Sequence, residues 1–380
     1  MAIFVLSDLH LDERANARLF KDERQGERLA RLFEVLARTR DARLVLLGDT
    51  FDFTSMLPPD RGLERFADEL AFPLEVMPCR GLPALLEAVE RSNPNAFQAL
   101  RHLTGAIPVS IAVGNHDWLL GEAGADAALE QAGLHVELIR DASFELAGRR
   151  VVLEHGHRFD PSNAHPHGAG EQLTRALYQA VIPYLRHHGA RSQVRMDPDR
   201  LVALRPQERA LELLERWLEP EVFRRLLSAF LRLLAANREL PRPLQSLVAH
   251  APLSLVRSKL AATEQAWKNA AHTAVKALQH TRHTHQLETD ADVVVLGHTH
   301  VLDWAVTDVR GRERLYVNLG TWTERAADGL SHTDTSLPLL ALDDAHGLRV
   351  ELRDLDWDGG VLELFAPDST ARQRPAELRT

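Results

Sequence analysis

The sequence predicts an α/β protein whose sheets are covered by helices. Three observations carry this: short runs rich in Val, Ile and Leu that stop abruptly at polar or glycine-containing turns, helical periodicity between the first of these runs, and a length of 380 residues, enough to bury a sizeable core in one large domain or two ordinary ones. In chain order the runs are AIFVLSDLH (2–10), ARLVLLGDTFD (42–52), IPVSIAVGNHD (107–117), RRVVLEHGH (149–157), ADVVVLGHTH (291–300) and RLYVNLGTW (314–322). They read as buried strands. Between the first two, residues 24–38 place Leu29, Leu32, Phe33 and Leu36 at helical spacing, which predicts an amphipathic helix.

From about Asp160 to Asp290 the strand runs disappear, and Leu, Arg and Glu recur with helical periods. Residues 161–290 carry 18 Lys and Arg against 12 Asp and Glu, a net +6, leaving 27 against 42, a net −15, for everything else. The strand pattern then resumes at Ala291. The expected organisation is therefore an interrupted core: 1–159 and 291–365 form the core, 160–290 a helical insertion, and 366–380 a polar tail that holds two prolines and is expected to fray.

Composition narrows the function. The single cysteine, Cys79, excludes an intramolecular disulfide and fits a reducing compartment. No basic n-region with an apolar h-region opens the chain, and no apolar run is long enough to span a bilayer, so a cytoplasmic protein is expected. A formal charge of −9 argues against general nucleic-acid binding, while 19 histidines supply groups that titrate near neutrality or bind metal.

The polar residues that end the strands carry the chemistry. Asp8 and His10, at i and i+2 after the first run, leave an extended segment on the same side, where one metal could take both. Asp49 and Asp52 follow the second run, Asn115, His116 and Asp117 the third, His155 the fourth, and His298 and His300 the fifth. In open α/β sheets that edge is where ligands collect, because adjacent strand ends bring distant loops into one crevice. Taken singly, Asp-x-His, GDTFD, GNHD and GHTH are each ordinary turns with surface polar groups. Five successive strand ends that all deliver oxygen or imidazole donors are not explained that way.

DLH, GDTFD, GNHD, HGH and GHTH, in this order from residue 8 to 300, resemble the signature of the calcineurin-like metallophosphoesterases. The resemblance implies a four-layer αββα sandwich, two mixed β-sheets face to face with helices outside, here with the long helical insertion. It implies two divalent metal ions, Mn first, with Fe, Zn, Co and Mg as alternatives. Asp8, His10 and His300 would bind one, Asn115, His155 and His298 the other, and Asp49 would bridge. A hydroxide bridging the two would attack a phosphodiester, phosphomonoester or pyrophosphate bond. His116 would bind or protonate phosphoryl oxygens, with Asp117 orienting it, and Asp52 would hold the GD loop in shape.

A helical insertion between the fourth and fifth motifs also resembles the UDP-2,3-diacylglucosamine hydrolases of lipid A synthesis. Those enzymes typically carry arginine where this chain has His116 and HGD where it has HGH. The expected substrate is a phosphate-containing small molecule or lipid. A metal-free binding scaffold of the same fold is the rival from another class, and the complete ligand set speaks against it. Phe223, Leu226, Leu227, Phe230 and Leu234 share one face of a basic helix with Arg224, Arg225, Arg232 and Arg238 elsewhere, which packs the insertion together or rests on anionic lipid at the inner face of the membrane. His165 and His167 are candidates for the site's rim. His187 and His188, the His280, His283 and His285 cluster, and Asn318 read as solvated or turn positions.

Overall fold

The computed structural model describes residues 1–13, 19–56, 80–160, 290–309, 311–323, 325–326, 333–334, 337–354 and 361–365, with isolated positions between 163 and 223. All six runs are strands: β1 Ala2–Leu6, β2 Ala42–Leu47, β3 Val109–Ala112, β6 Arg149–Glu154, β7 Val293–Leu296 and β9 Arg312–Leu319. To these the structure adds β4 Glu137–Ile139, β5 Asp141–Leu146, β8 Leu302–Val309, β10 Arg325–Ala326, β11 Thr333–Asp334, β12 Pro338–Asp343, β13 Arg349–Asp354 and β14 Val361–Phe365. The predicted helix is α1, Glu27–Ala37, entered through a π-turn at Asp22–Gly26; α2 (Leu82–Ser92), α3 (Pro94–Thr104) and α4 (Ala125–Gln131) follow.

Two mixed sheets result. The larger runs β14-β13-β12-β1-β2-β3-β4, parallel from β1 to β4 and antiparallel on the β12 side; the smaller runs β5-β6-β7-β9-β8, with β6, β7 and β9 parallel. Alternation along the strands sorts the core into two layers. Ile3, Val5, Val45 and Leu47 face Val151, Leu153, Val293, Val295, Leu315 and Val317, which closes the sheets on each other. The opposite side chains, Leu44, Leu46, Val109 and Ile111, meet Leu29, Phe33 and Leu36 of α1 and Leu86, Val89, Phe97 and Leu100 of α2 and α3. Fully burying such an aliphatic or aromatic side chain contributes about 1.5–3 kcal/mol, which makes these two layers the main stabilising feature.

The fold is the expected sandwich of two mixed sheets with helices outside. β6 pairs with β7 in parallel, Val151 opposite Val293, so the chain returns after the intervening segment to the sheet it left. Most of that segment, with the basic amphipathic helix and the His165, His167, His187, His188 and His280–His285 positions, lies outside the described residues, as does the tail 366–380.

Candidate metal centre

The parallel strands β1, β2, β3, β6 and β7 end on one edge, and the residues that follow them converge. Seven described non-glycine residues have positive φ, and five of them are Asp8, His10, Asp49, His298 and His300. Left-handed backbone is unfavourable for residues with a Cβ, and it turns their side chains into the crevice. The backbone is held there from several sides: Asp8 N donates to Gly48 O at 3.2 Å, and Asp8 O accepts from Trp322 N at 3.2 Å and Thr321 Oγ1 at 2.9 Å. Gly48 has φ +81°, and a Cβ there would strike the His155 ring; a Cβ on Gly297 would strike Ser7 and Asp8. Both glycines are required by close approach.

Three groups of side chains have metal-sized spacing: Asp8, His10, Asp49 and His300 in the first, Asp49, His155 and His298 in the second, and His10, Asp52 and His116 in the third, each with candidate donor atoms within 4.8 Å of one another. Asp49 belongs to the first two. Its Oδ1 accepts the His116 backbone N–H at 2.8 Å. Its Oδ2 lies 3.8 Å from His10 Nε2 and 3.2 Å from His155 Nε2, between the two groups. Asn115 Oδ1 joins the second group, 3.3 Å from His155 Nε2.

Hydrogen bonds select the ring nitrogens that face the centre. His155 Nδ1 lies 2.8 Å from the Leu47 carbonyl oxygen, which can only accept, so Nδ1 carries the proton and Nε2 points inward. His10 Nδ1 donates to Asp52 Oδ2 at 3.2 Å, and its Nε2 lies 2.9 Å from His300 Nε2. Asp8 Oδ2 accepts Ser7 Oγ and the His298 backbone N–H, whereas Asp8 Oδ1 is buried without a hydrogen bond, 3.3 Å from His300 Nε2 and 3.9 Å from His10 Nε2. A buried carboxylate oxygen with no hydrogen bond, beside two imidazole nitrogens that face each other, calls for positive charge among them, from a proton on the rings or from a metal ion. The donor set of carboxylate, amide and imidazole fits a first-row divalent metal.

The charges answer one another in the same way. Burial alone would raise the carboxyl groups of Asp8 and Asp49, but the neighbouring imidazoles, His155 foremost, hold both well below the usual range. Burial likewise opposes protonation of His155, yet Asp49 and then Asp8 push it up to about 9. His157, behind it, is driven down to about 4 by burial and then by the charge of His155.

His116 stands beside the first group, its ring centroid 4.7 Å from that of His10. The expected pairing with Asp117 is not the one formed. His116 Nδ1 lies 2.8 Å from Asp52 Oδ1 and 2.7 Å from Thr54 Oγ1, and Thr54 Oγ1 donates to the same carboxylate oxygen. Asp117 is fully buried and accepts backbone N–H groups from Gly114 at 2.6 Å, Thr50 at 2.8 Å and Phe51 at 3.4 Å, so it clamps the β2 and β3 loops together. Its direction follows from sequence adjacency: consecutive side chains diverge, so Asp117 turns inward where His116 turns to the crevice. Asp52 also accepts Ser55 N at 3.0 Å, a contact that holds the loop, and its contacts to His10 and His116 place it with them in the third metal-sized group. Asn318 donates to Gly297 O at 2.7 Å and accepts Gly320 N at 3.1 Å, a turn residue that also steadies the last motif loop.

A mixed-sheet sandwich with a carboxylate- and imidazole-lined centre at its strand ends defines the class of protein. More narrowly, residues 1–302 match the calcineurin-like phosphoesterase family, and the chain belongs to it. No curated protein sequence matches the chain. Solved structures similar to it include Vps29 complexed with Zn2+ from Entamoeba histolytica (14% identity, 96% of this chain and 97% of that one, TM-score 0.32). A conserved protein from Streptococcus pneumoniae, a predicted phosphoesterase, is similar at 11% identity over 95% of both chains, with a TM-score of 0.30. Similarity this low leaves the family assignment with the sequence match. Among the described residues no helix is long and apolar enough to cross a membrane.

Proposed function

We propose that the protein hydrolyses a phosphodiester, phosphomonoester or pyrophosphate bond at a centre of two divalent metal ions, Mn first among Fe, Zn, Co and Mg. The observation that carries this is Asp49, whose Oδ2 lies between His10 Nε2 and His155 Nε2, and which thereby joins two metal-sized groups. Asp8, His10 and His300 would hold one ion, Asn115, His155 and His298 the other, and Asp49 both. When bound, such a pair neutralises phosphoryl charge and lowers the pKa of a water held between the ions.

The chain's own residues supply the rest. With Nδ1 committed to Asp52 and Thr54, His116 directs Nε2 to a phosphoryl or leaving-group oxygen. Burial opposes its protonation, but Asp52 and then Asp49 outweigh this and raise its pKa above the ordinary histidine value, which favours a proton on the ring. His116 retains 18% side-chain exposure, which supports access from solvent and substrate. Gly48 and Gly297 keep the loops close enough that no side chain intrudes on the ligands. The phosphate-containing substrate is a small molecule or a lipid.

The test is hydrolysis of bis-p-nitrophenyl phosphate by protein stripped of metal and reloaded with Mn2+, beside Asp49→Asn and His116→Ala. Activity that requires metal and falls in both variants supports the reading. Full activity in stripped protein, or in Asp49→Asn, overturns it.

A further inference from the structure

We propose that Asp160 is a positioning residue for His298, fixing the tautomer through which that histidine meets its metal. The inference rests on the reading of His298 as a ligand and goes beyond it, because Asp160 lies outside the five motifs. His298 Nε2 is 3.1 Å from Asp160 Oδ2, across 138 residues of sequence. A carboxylate accepts, so Nε2 carries the proton and the lone pair is left on Nδ1, through which His298 would join Asp49 and His155 at the metal. His10 and His155 are held the other way round, Nδ1 to Asp52 or to the Leu47 carbonyl and Nε2 to the centre. Each of these three rings therefore has an acceptor on the side away from the centre, the arrangement that orients metal-ligating histidines.

Asp160 is itself held in place. Its backbone N–H donates to His157 O at 3.0 Å, and its backbone oxygen accepts Asn163 N at 2.9 Å. Asn163 Nδ2 donates to the same Oδ2 at 2.7 Å, which leaves the carboxylate little rotational freedom. The 3-10 turn His157–Phe159 that begins this segment starts directly after His155 and Gly156, so one short stretch supplies a ligand and the orienter of another. His298 has only 12% side-chain exposure against 33% for Asp160, so the bond is shielded on the ring's side. The metal-sized groups among the described residues include His298 and not Asp160, which separates the orienter from the ligands.

The test is a Mn2+ titration of the metal-stripped full chain by calorimetry, with metal content measured after dialysis, for the parent protein, Asp160→Ala and Asp160→Asn. The parent is expected to bind two equivalents. Asp160→Ala is expected to keep one at unchanged affinity and to lose about 10- to 100-fold at the other. Asp160→Asn, whose amide oxygen can accept the same proton, should fall between. Asp160→Leu, similar in size and without an acceptor, takes the place of the alanine variant if that does not fold. Two unchanged equivalents in a folded variant lacking the acceptor overturn the inference, as does equal weakening of both. If the parent takes up no Mn2+, the metal-centre reading itself fails, a result distinct from either.

Discussion

Asp8 and Asp49 follow the C-terminal ends of β1 and β2, and Asp292 directly precedes β7 at the other end of the sandwich; all three are almost completely buried. Asp292 is matched: Arg149 Nη1 lies at 3.2 Å, the Arg150 N–H donates at 2.9 Å, and Arg312 Nε lies at 3.4 Å. Its backbone is ordinary and within the sheet's register, with Asp292 N donating to Arg150 O and Asp292 O accepting Leu315 N, both at 2.8 Å. At the opposite end, Asp8 and Asp49 adopt positive φ, one carboxylate oxygen has no hydrogen bond, and the facing cations are imidazoles that can give up their protons. The first cluster closes upon itself. The second is complete only with something else, and that difference separates an ion pair that holds a sheet together from a site that binds.

The comparison can be broken at four points. The largest effect is expected for Asp49→Asn, which removes the shared ligand: several kcal/mol of transition-state charge stabilisation are lost, about 10³-fold in kcat/KM with bis-p-nitrophenyl phosphate, together with metal content. His116→Ala is expected to lower kcat by about 10²-fold while Mn2+ content, measured by elemental analysis, stays at the parent level.

The third point is pH. In the metal-free protein His155 titrates at about 9, above its ordinary value, so its protonated form stabilises the fold fully below about pH 6.5 and that contribution fades as pH rises through 9. Metal requires the neutral ring. Melting temperature of the stripped protein should therefore fall between pH 6.5 and 9, while Mn2+ affinity rises over the same window with release of protons on binding. A flat Mn2+ affinity across that window would remove His155 from the ligand set. The smallest effect belongs to Asp292→Asn, expected to cost about 1–3 kcal/mol in urea unfolding through weakened charge-assisted hydrogen bonds, with kcat/KM of the Mn2+-loaded enzyme unchanged. A loss of activity there would erase the distinction between the two ends.

Much of the fold was legible because its central strands are buried on both faces and so read as unbroken Val, Ile and Leu runs: VVVL of β7 and the LVLL of β2 are of this kind. The strands that escaped are different. β5, DASFEL, alternates between exposed and partly buried residues until Leu146, and β13, RVELRD, alternates Arg349, Glu351 and Arg353 with Val350 and Leu352, so neither stands out as an apolar run. The helix α3 opens at Pro94 with its first N–H groups, Asn95 and Ala96, satisfied by Asp22 from far upstream, a cap that no local pattern announces.

At the site, sequence by itself determined which residues arrive: donors placed directly after parallel strands must gather at the shared C-terminal edge, because parallel pairing leaves every such loop on the same side. It could not determine which donor each ring would face. Asp52 rather than Asp117 holds His116, and Asp160 meets His298, whose backbone adopts positive φ. These depend on packing among loops distant in the chain, and only the tertiary structure brings them within hydrogen-bonding distance.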